Sequence, residues 1–327
     1  MVYPVYPETA WAGYPTPTSR MKPIPTLDRL LDEARSAGPR RLAVVAAESE
    51  TALSAAVQAR RQRLADVVLI GALDGLRHRL EAMGESPALF TLVAAADDAD
   101  AARRGVAMAR AGEVAVLLKG RLQTADLLRA VLDRREGLRE PGRLLSDVLV
   151  TDHPLSAEPR LLGITDGGVN VAPDLDQKQA ITENAVALFR QLGVDRPLVA
   201  CLCAVEKVTA AMPHTRDAQA LAERCARGDL AHCLVSGPLA LDNALSLEAA
   251  HEKGIDHPVA GRADLLLAPT IEAGNALGKA FTYLARAQVA HVLVGTRVPV
   301  LIPSRVERAS DKLLSIALGV LAAGGRA

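Results

Sequence analysis

Aromatic side chains are scarce in this chain: Phe, Trp and Tyr together make up 2% of 327 residues. Its core must therefore be built from Leu, Val, Ile and Ala, and there is little on which unpaired bases could stack. Net charge is absent as well. The 38 basic residues match the 38 acidic ones, which argues against nucleic acid as the main partner, because gripping a phosphate backbone needs a basic excess. A small anion held by a few local arginines is still allowed. Cysteine is sparse and unpatterned. Cys201, Cys203, Cys225 and Cys233 form no CxxC pair, so reduced structural thiols are expected, and no oxidising compartment is required. The histidines show no metal spacing and no HExxH, so no metal is expected. No apolar run approaches the ~20 residues of a membrane span. The first residues lack a basic segment followed by a continuous apolar core, so a cytoplasmic location is expected.

What the chain does have is a 50% hydrophobic composition and enough length for two domains of ordinary size. Residues 1–25 stand apart. They hold Pro4, Pro7, Pro15, Pro17, Pro23 and Pro25 with Tyr3, Tyr6, Trp11 and Tyr14, a composition that predicts an extended or disordered tail. That tail is either solvated or a docking peptide with the aromatic residues as anchors. Beyond it, short apolar runs alternate with amphipathic stretches. Strands are predicted at 41–46, 67–70, 90–93, 113–118, 144–151, 161–165, 198–203, 233–236, 265–268, 290–294 and 298–302. Helices are predicted at 27–37, 51–63, 124–132, 177–192, 215–227, 240–253 and 274–287, with others after 70 and up to 110. This alternation means an α/β fold with mainly parallel sheets. Ligands in such sheets bind at the carboxyl ends of strands.

One such end carries the densest chemistry. Ser304-Arg305-Val306-Glu307-Arg308-Ala309-Ser310-Asp311 follows the apolar run Val298 to Ile302 and Pro303. The spacing predicts a strand-to-helix junction with Ser304 near the helix start and Asp311 two turns on. A helix start attracts anions, an arginine adds a planar fork for phosphate, and a carboxylate can take a proton. Lys119 ends another apolar strand. A lysine there is poor core material, so it is expected to reach a phosphate, with Gly120, Gln123 and Thr124 at the same mouth.

The stretch resembles the C-terminal signature of phosphate acetyltransferases, a Ser-Arg with an Asp seven positions after the Ser. Further segments resemble the phosphate acetyl/butyryltransferase family, on its butyryl-like branch. They are Leu118-Lys119-Gly120 with Gln123 to Arg129, Asn170 to Leu175, Ala204 to Val208, Gly237 to Ala244, Pro258 to Gly261, and Ala263 to Pro269 with Ile271 to Asn275. They run in family order from about Met21, an alternative to Met1 as the translation start, to the end of the chain.

The resemblance implies two α/β/α domains separated by a cleft, in the manner of isocitrate and isopropylmalate dehydrogenases. The first would be 26–140 plus 291–327, and the second 141–290, inserted in the first. It also implies reversible transfer of a short acyl group (acetyl, propionyl or butyryl) from coenzyme A to inorganic phosphate, by direct thiolate attack in a ternary complex. Coenzyme A is then a substrate, no cofactor is tightly bound, and a homodimer is the minimum assembly. Asp311 would be the general base for the thiol, whose free pKa is near ~8.5; such help is typically worth ~10²–10⁴-fold. Partial burial would have to raise its carboxyl from the usual ~3.9. Glu307 is the runner-up base, because butyryl-type relatives carry an acidic residue there. Ser304 would hydrogen-bond the phosphate or carbonyl, and its role without the family is a helix N-cap. Arg305 would clamp phosphate, while Arg308 reads as a solvated charge. Arg129, Lys119, Thr124, Gly274 and Asn275 would bind substrate. Asp242, Asn243 and the histidines His214, His232 and His291 read as structural. Two other readings stand beside this one: a non-catalytic homologue acting as a scaffold, and a metal- and NAD-dependent decarboxylating dehydrogenase. The second lacks clustered aspartates and a dinucleotide loop.

Overall fold

The computed structural model describes residues 22–304 and 307–324. Tyr3, Tyr6, Trp11, Tyr14 and Arg305 therefore lie outside the described residues. The chain divides into two compact units, one of Leu27–Leu145 with 288–324, the other of 22–26 with Ser146–Ala287. Ile24, inside the expected tail, is buried, and its N–H donates to the Leu192 carbonyl at 2.9 Å.

The first unit alternates helix and strand: α1 (Leu27–Ser36), β1 (Arg40–Val45), α2 (Glu50–Arg61), β2 (Ala65–Gly71), α3 (Leu73–Ala82), β3 (Thr91–Ala94), α4 (Asp98–Arg110), β4 (Val116–Lys119) and α5 (Thr124–Val131). The second unit contributes β5 (Ser146–Asp152), β6 (Leu161–Thr165), α6 (Leu175–Gln191), β7 (Leu198–Leu202), α7 (Pro213–Ala226), β8 (Leu234–Leu239), α8 (Leu241–Leu245), α9 (Leu247–Glu252), β9 (Leu265–Leu267) and α10 (Ile271–Lys279). The chain then returns to the first unit with β10 (Ala290–Val294), β11 (Val300–Leu301) and α11 (Ala309–Gly324). The helix starts are written locally. The Asp97 carboxylate accepts from the Asp100 N–H at 2.7 Å, and Asp174 and Gln177 close a reciprocal capping box, satisfying amides that have no helical partner.

In the first unit the strand order is β3-β2-β1-β4-β11-β10, parallel throughout except that β10 and β11 run antiparallel. In the second unit it is β5-β6-β9-β7-β8, parallel except for β5 against β6. The fold is mixed α/β with mainly parallel sheets, as the alternation predicts. In the first unit, register places Lys119 opposite Val45 and Leu118 opposite Leu301. The carboxyl ends of β1, β4 and β11 are thereby neighbours. Helix α11 is buried from Asp311 to Leu321 and almost wholly apolar after Lys312, as a helix buried all round must be. It packs against α1, α2 and β10.

Three helix boundaries differ from the sequence reading. The helix expected over 240–253 is two helices. Ser246 is extended, its N–H donates to the Asp242 carbonyl, and its hydroxyl caps α9 by accepting from the Ala249 N–H at 3.2 Å. Helix α10 begins at Ile271 behind a Thr270 cap rather than at Gly274, and it widens to a π turn over Ala280–Leu284. Helix α11 begins at Ala309, so Asp311 lies in its first turn and Ser304 precedes it in a loop.

Candidate active site

Ahead of α11, Ser304 and Glu307 are tied to each other. The Ser304 N–H donates to Glu307 Oε1 at 2.9 Å, and the Glu307 N–H donates back to the Ser304 carbonyl at 3.2 Å. Glu307 Oε2 is buried and has no hydrogen-bond partner among the described residues. A carboxylate oxygen in that condition is costly. Lys312, in the first turn of α11, is 2% exposed. It donates to the Ser304 carbonyl at 2.9 Å and to the Glu307 carbonyl at 2.7 Å. Burial pushes its pKa down, while the carboxylates of Glu307 and Asp311 pull it up.

Asp311 is 1% exposed. Arg308 grips both of its oxygens, Nε to Oδ2 at 2.8 Å and Nη2 to Oδ1 at 3.3 Å. Arg308 is thus an ion-pair partner and not a solvated charge, although its side chain is 55% exposed. Asp311 raises the Arg308 pKa above the ordinary guanidinium value through that hydrogen bond and its charge.

Lys119 ends β4, the strand next to β11, and is buried. Its ammonium turns back on the loop that follows, donating to the carbonyls of Gly120 at 3.4 Å and Leu122 at 3.3 Å. Gly120 allows the loop to close on β1. A Cβ there would meet the Ala46 carbonyl oxygen at 2.1 Å. Thr124 opens α5. Arg129 is on the outer face of α5, 75% exposed, and pairs with Asp126 at 2.7 Å.

Gly274 and Asn275 belong to the second unit, where the structure accounts for both locally. A Cβ on Gly274 would meet the Asp166 carbonyl oxygen at 2.4 Å. The Asn275 amide donates to the Gly167 carbonyl at 3.0 Å. The close approach that glycine permits is to the loop after β6. Asp166 organises that loop by accepting from the N–H groups of Gly168 at 2.8 Å and Val169 at 2.9 Å and from the Asn170 amide at 2.6 Å. Burial, and then the nearby Asp147 charge, raise the Asp166 carboxyl. Asn243 is buried and donates to Glu206 at 2.7 Å, and Lys253 joins Glu206 and Asp242, a structural network.

The four cysteines are free thiols. Burial pushes Cys203 up to about 11 and Cys201 higher still, so neither is a ready nucleophile. Among the described residues, no group of three or more His, Cys, Asp or Glu is placed to hold a metal, and no helix is long and apolar enough to cross a membrane. Lys312 is the residue sequence reasoning missed. The signal was present: a lone lysine heading the apolar run Leu313 to Leu321 is as poor a core residue as Lys119.

A family model described as phosphate acetyl/butaryl transferase matches residues 89–320. The chain belongs to this family of acyltransferases. It is 37% identical over 303 residues to the phosphate butyryltransferase of Clostridium acetobutylicum, covering 93% of this chain and 100% of that protein. It is equally 37% identical over 298 residues to the phosphate acetyltransferase of Thermotoga maritima, covering 90% and 99%. Among solved structures, a branched-chain phosphotransacylase from Enterococcus faecalis superimposes with a TM-score of 0.76 at 28% identity, covering 88% of this chain and all of that one. A 4-hydroxythreonine-4-phosphate dehydrogenase from Klebsiella pneumoniae shares the fold alone, with a TM-score of 0.52 at 13% identity over 87% of this chain and 99% of that one. The family assignment replaces both the scaffold and the dehydrogenase readings with an enzyme of acyl transfer.

Proposed function

We propose that the chain exchanges a short acyl group between coenzyme A and inorganic phosphate: acyl-CoA + phosphate ⇌ acyl phosphate + CoA. The observation that carries this reading is the cluster of Ser304, Glu307, Asp311 and Lys312 that follows β11. It unites a serine, a buried carboxylate with one unpartnered oxygen and a buried Asp311, beside the strand that ends in Lys119. In the direction of acyl-CoA, Asp311 takes the thiol proton, and the thiolate attacks the carbonyl of a bound acyl phosphate within a ternary complex. Holding the two reactants together supplies much of the rate. Ser304 and Arg305 hold the phosphate, and donors at the developing oxyanion stabilise the tetrahedral state. Lys119, Thr124 and Arg129 contribute to substrate binding, as do Gly274 and Asn275. No tightly bound cofactor takes part.

Acetyl, propionyl and butyryl groups are all accepted to some degree, because an apolar pocket separates one methylene by only ~1–3 kcal/mol. We further propose a cytoplasmic homodimer or larger homo-oligomer, two domains at 26–140 plus 291–327 and 141–290, and a docking role for the aromatic tail. The test is release of free thiol from acetyl-, propionyl- and butyryl-CoA, without added metal or NAD. Release that depends on phosphate is the expected result and ranks the substrates. No phosphate-dependent release from any of the three would sink the reading.

A further inference from the structure

Asp311 is 1% exposed, and a buried carboxylate needs hydrogen bonds in place of water. Its side-chain hydrogen bonds come from one residue. Arg308 gives Nε to Oδ2 at 2.8 Å and Nη2 to Oδ1 at 3.3 Å, so both oxygens are engaged. Lys312, the next residue along α11, donates instead to the Ser304 and Glu307 carbonyls. This arrangement conflicts with the role proposed for Asp311. A general base must come within hydrogen-bond reach of the proton it takes, and an opposite charge at a carboxylate disfavours its protonation. A substrate thiol meets a buried, ion-paired group while the guanidinium stays in place. The pair is lopsided, however. Asp311 is fixed in the first turn of a buried helix, whereas the Arg308 side chain is 55% exposed and precedes that helix. An anion arriving from water reaches the guanidinium before the carboxylate. The same planar fork fits phosphate as well as it fits a carboxylate.

From this geometry we infer that Arg308 is a removable cover on the base: it holds Asp311 until substrate arrives, then passes to the phosphate group, so that Asp311 takes the thiol proton only when phosphate is present. This rests on the reading of Asp311 as the base. In the direction of acyl-CoA, the S–H bond breaks and an O–H bond forms on Asp311. The sulfur electron pair forms the C–S bond. The C–O bond to phosphate breaks, and its electrons leave on phosphate, where the guanidinium meets the added negative charge. In reverse, phosphate attacks the acyl carbon and Asp311 returns its proton to the leaving thiolate. Charge is balanced at each stage. One guanidinium serves the carboxylate before binding and the phosphate after it. The proton that Asp311 accepts removes the buried charge that Arg308 has left behind, which would otherwise be costly.

The experiment is a double-mutant cycle on phosphate affinity. Inorganic phosphate is titrated by calorimetry into wild type, Asp311→Asn, Arg308→Gln and the double variant, with ionic strength held constant by sodium chloride. Because Asp311 competes for the guanidinium, Asp311→Asn should bind phosphate about fivefold more tightly than wild type. Arg308→Gln should bind it ~10-fold or more weakly. The double variant should match Arg308→Gln within about twofold, since without the arginine there is nothing left to compete for. Unchanged or weaker binding in Asp311→Asn overturns the proposal, as does unchanged binding in Arg308→Gln. A gain from Asp311→Asn that persists in the Arg308→Gln background also overturns it, because that gain is simple repulsion of phosphate by the carboxylate. If Arg308→Gln leaves Asp311 unpaired and does not fold, the double variant carries neither charge and decides the matter: it should bind more weakly than wild type, and binding as tight as that of Asp311→Asn sinks the cover. Thiol release on the same proteins separates the two claims. Full turnover in Asp311→Asn removes the base on which the inference rests, whatever phosphate does to Arg308. Lost turnover there without the expected pattern of affinities leaves the base standing and removes only the cover.

Discussion

The two units bury charge in different ways. In the first, the buried Asp, Glu, His and Lys side chains among the described residues are, apart from Glu85, Lys119, Glu307, Asp311 and Lys312, all at the carboxyl ends of the adjoining strands β4 and β11 or the helix start that follows. In the second they are Asp147, His153, Asp166, Lys178 and Asp264, spread over several elements. Lys178 and Asp264 are spent on neighbours. Lys178 pairs with Asp217 at 2.5 Å, and Asp264 binds the Leu198 N–H at 2.9 Å and Arg160 at 3.1 Å. Burial alone does not mark a working group. What distinguishes the first unit is their concentration at one place, where Glu307 Oε2 has no hydrogen-bond partner among the described residues.

The sharpest break in that comparison is at the base. Asp311→Asn is expected to reduce phosphate-dependent thiol release by ~10²–10⁴-fold while the protein stays folded, because its partner Arg308 remains half in solvent. Glu307→Gln should cost less, within about tenfold of wild type, since the amide oxygen can still accept from the Ser304 N–H. Thiol-release assays on both variants, with circular dichroism melts, check this. Full turnover in Asp311→Asn together with collapse in Glu307→Gln would move the base to Glu307.

Next in size is a pair of changes in the second unit whose main effect should be on stability. Lys178→Met leaves Asp217 without its ammonium, and with that carboxylate partly open to water the loss should be about 2 kcal/mol. Gly274→Ala forces a Cβ against the Asp166 carbonyl and should cost about 1–3 kcal/mol. Urea unfolding measures both. A Gly274→Ala protein of unchanged stability with a raised acyl-CoA KM would make that glycine a ligand contact rather than a packing one and weaken the contrast between the units.

Much of the fold was readable because apolar runs are local signals. The strands Leu161–Thr165 and Ala290–Val294 begin and end where periodicity puts them. The misreadings come from contacts that sequence spacing does not display. Ser304 looks like a helix cap until the Glu307 side chain, three residues on, takes its N–H and holds the helix start back to Ala309. Gly274 looks like the first residue of a ligand-facing helix until the remote Asp166–Gly167 loop is found against it. Arg308 looks solvated because its pairing with Asp311 depends on where α11 starts. Lys119 and Lys312 carry the same signal, a cation in apolar company, but only at Lys119 did a strand end draw attention to it.

The smallest expected effect concerns acid. Burial holds the rings of His153 and His257 neutral, down to about 4 each, and both belong to the second unit. Their folded pKa lies below the ordinary value of ~6.5. The stability they contribute is therefore complete above about pH 6.5, where both states are neutral, and is lost as pH falls toward 4 and the unfolded chain takes up protons. Asp166 and Asp264, raised by burial, work the other way, adding stability as pH falls through their folded values. The net slope of the wild type therefore mixes signs, and a difference isolates the ring. In His257→Asn an amide oxygen replaces Nδ1, which accepts from the Val259 N–H at 3.2 Å, and nothing titrates there. Between pH 7 and pH 5 the wild type should lose roughly 2 kcal/mol more unfolding free energy than this variant. Equal losses in urea titrations at the two pH values would mean that the His257 ring is protonated in the fold, and that the second unit does not carry its buried charge in the way its geometry indicates.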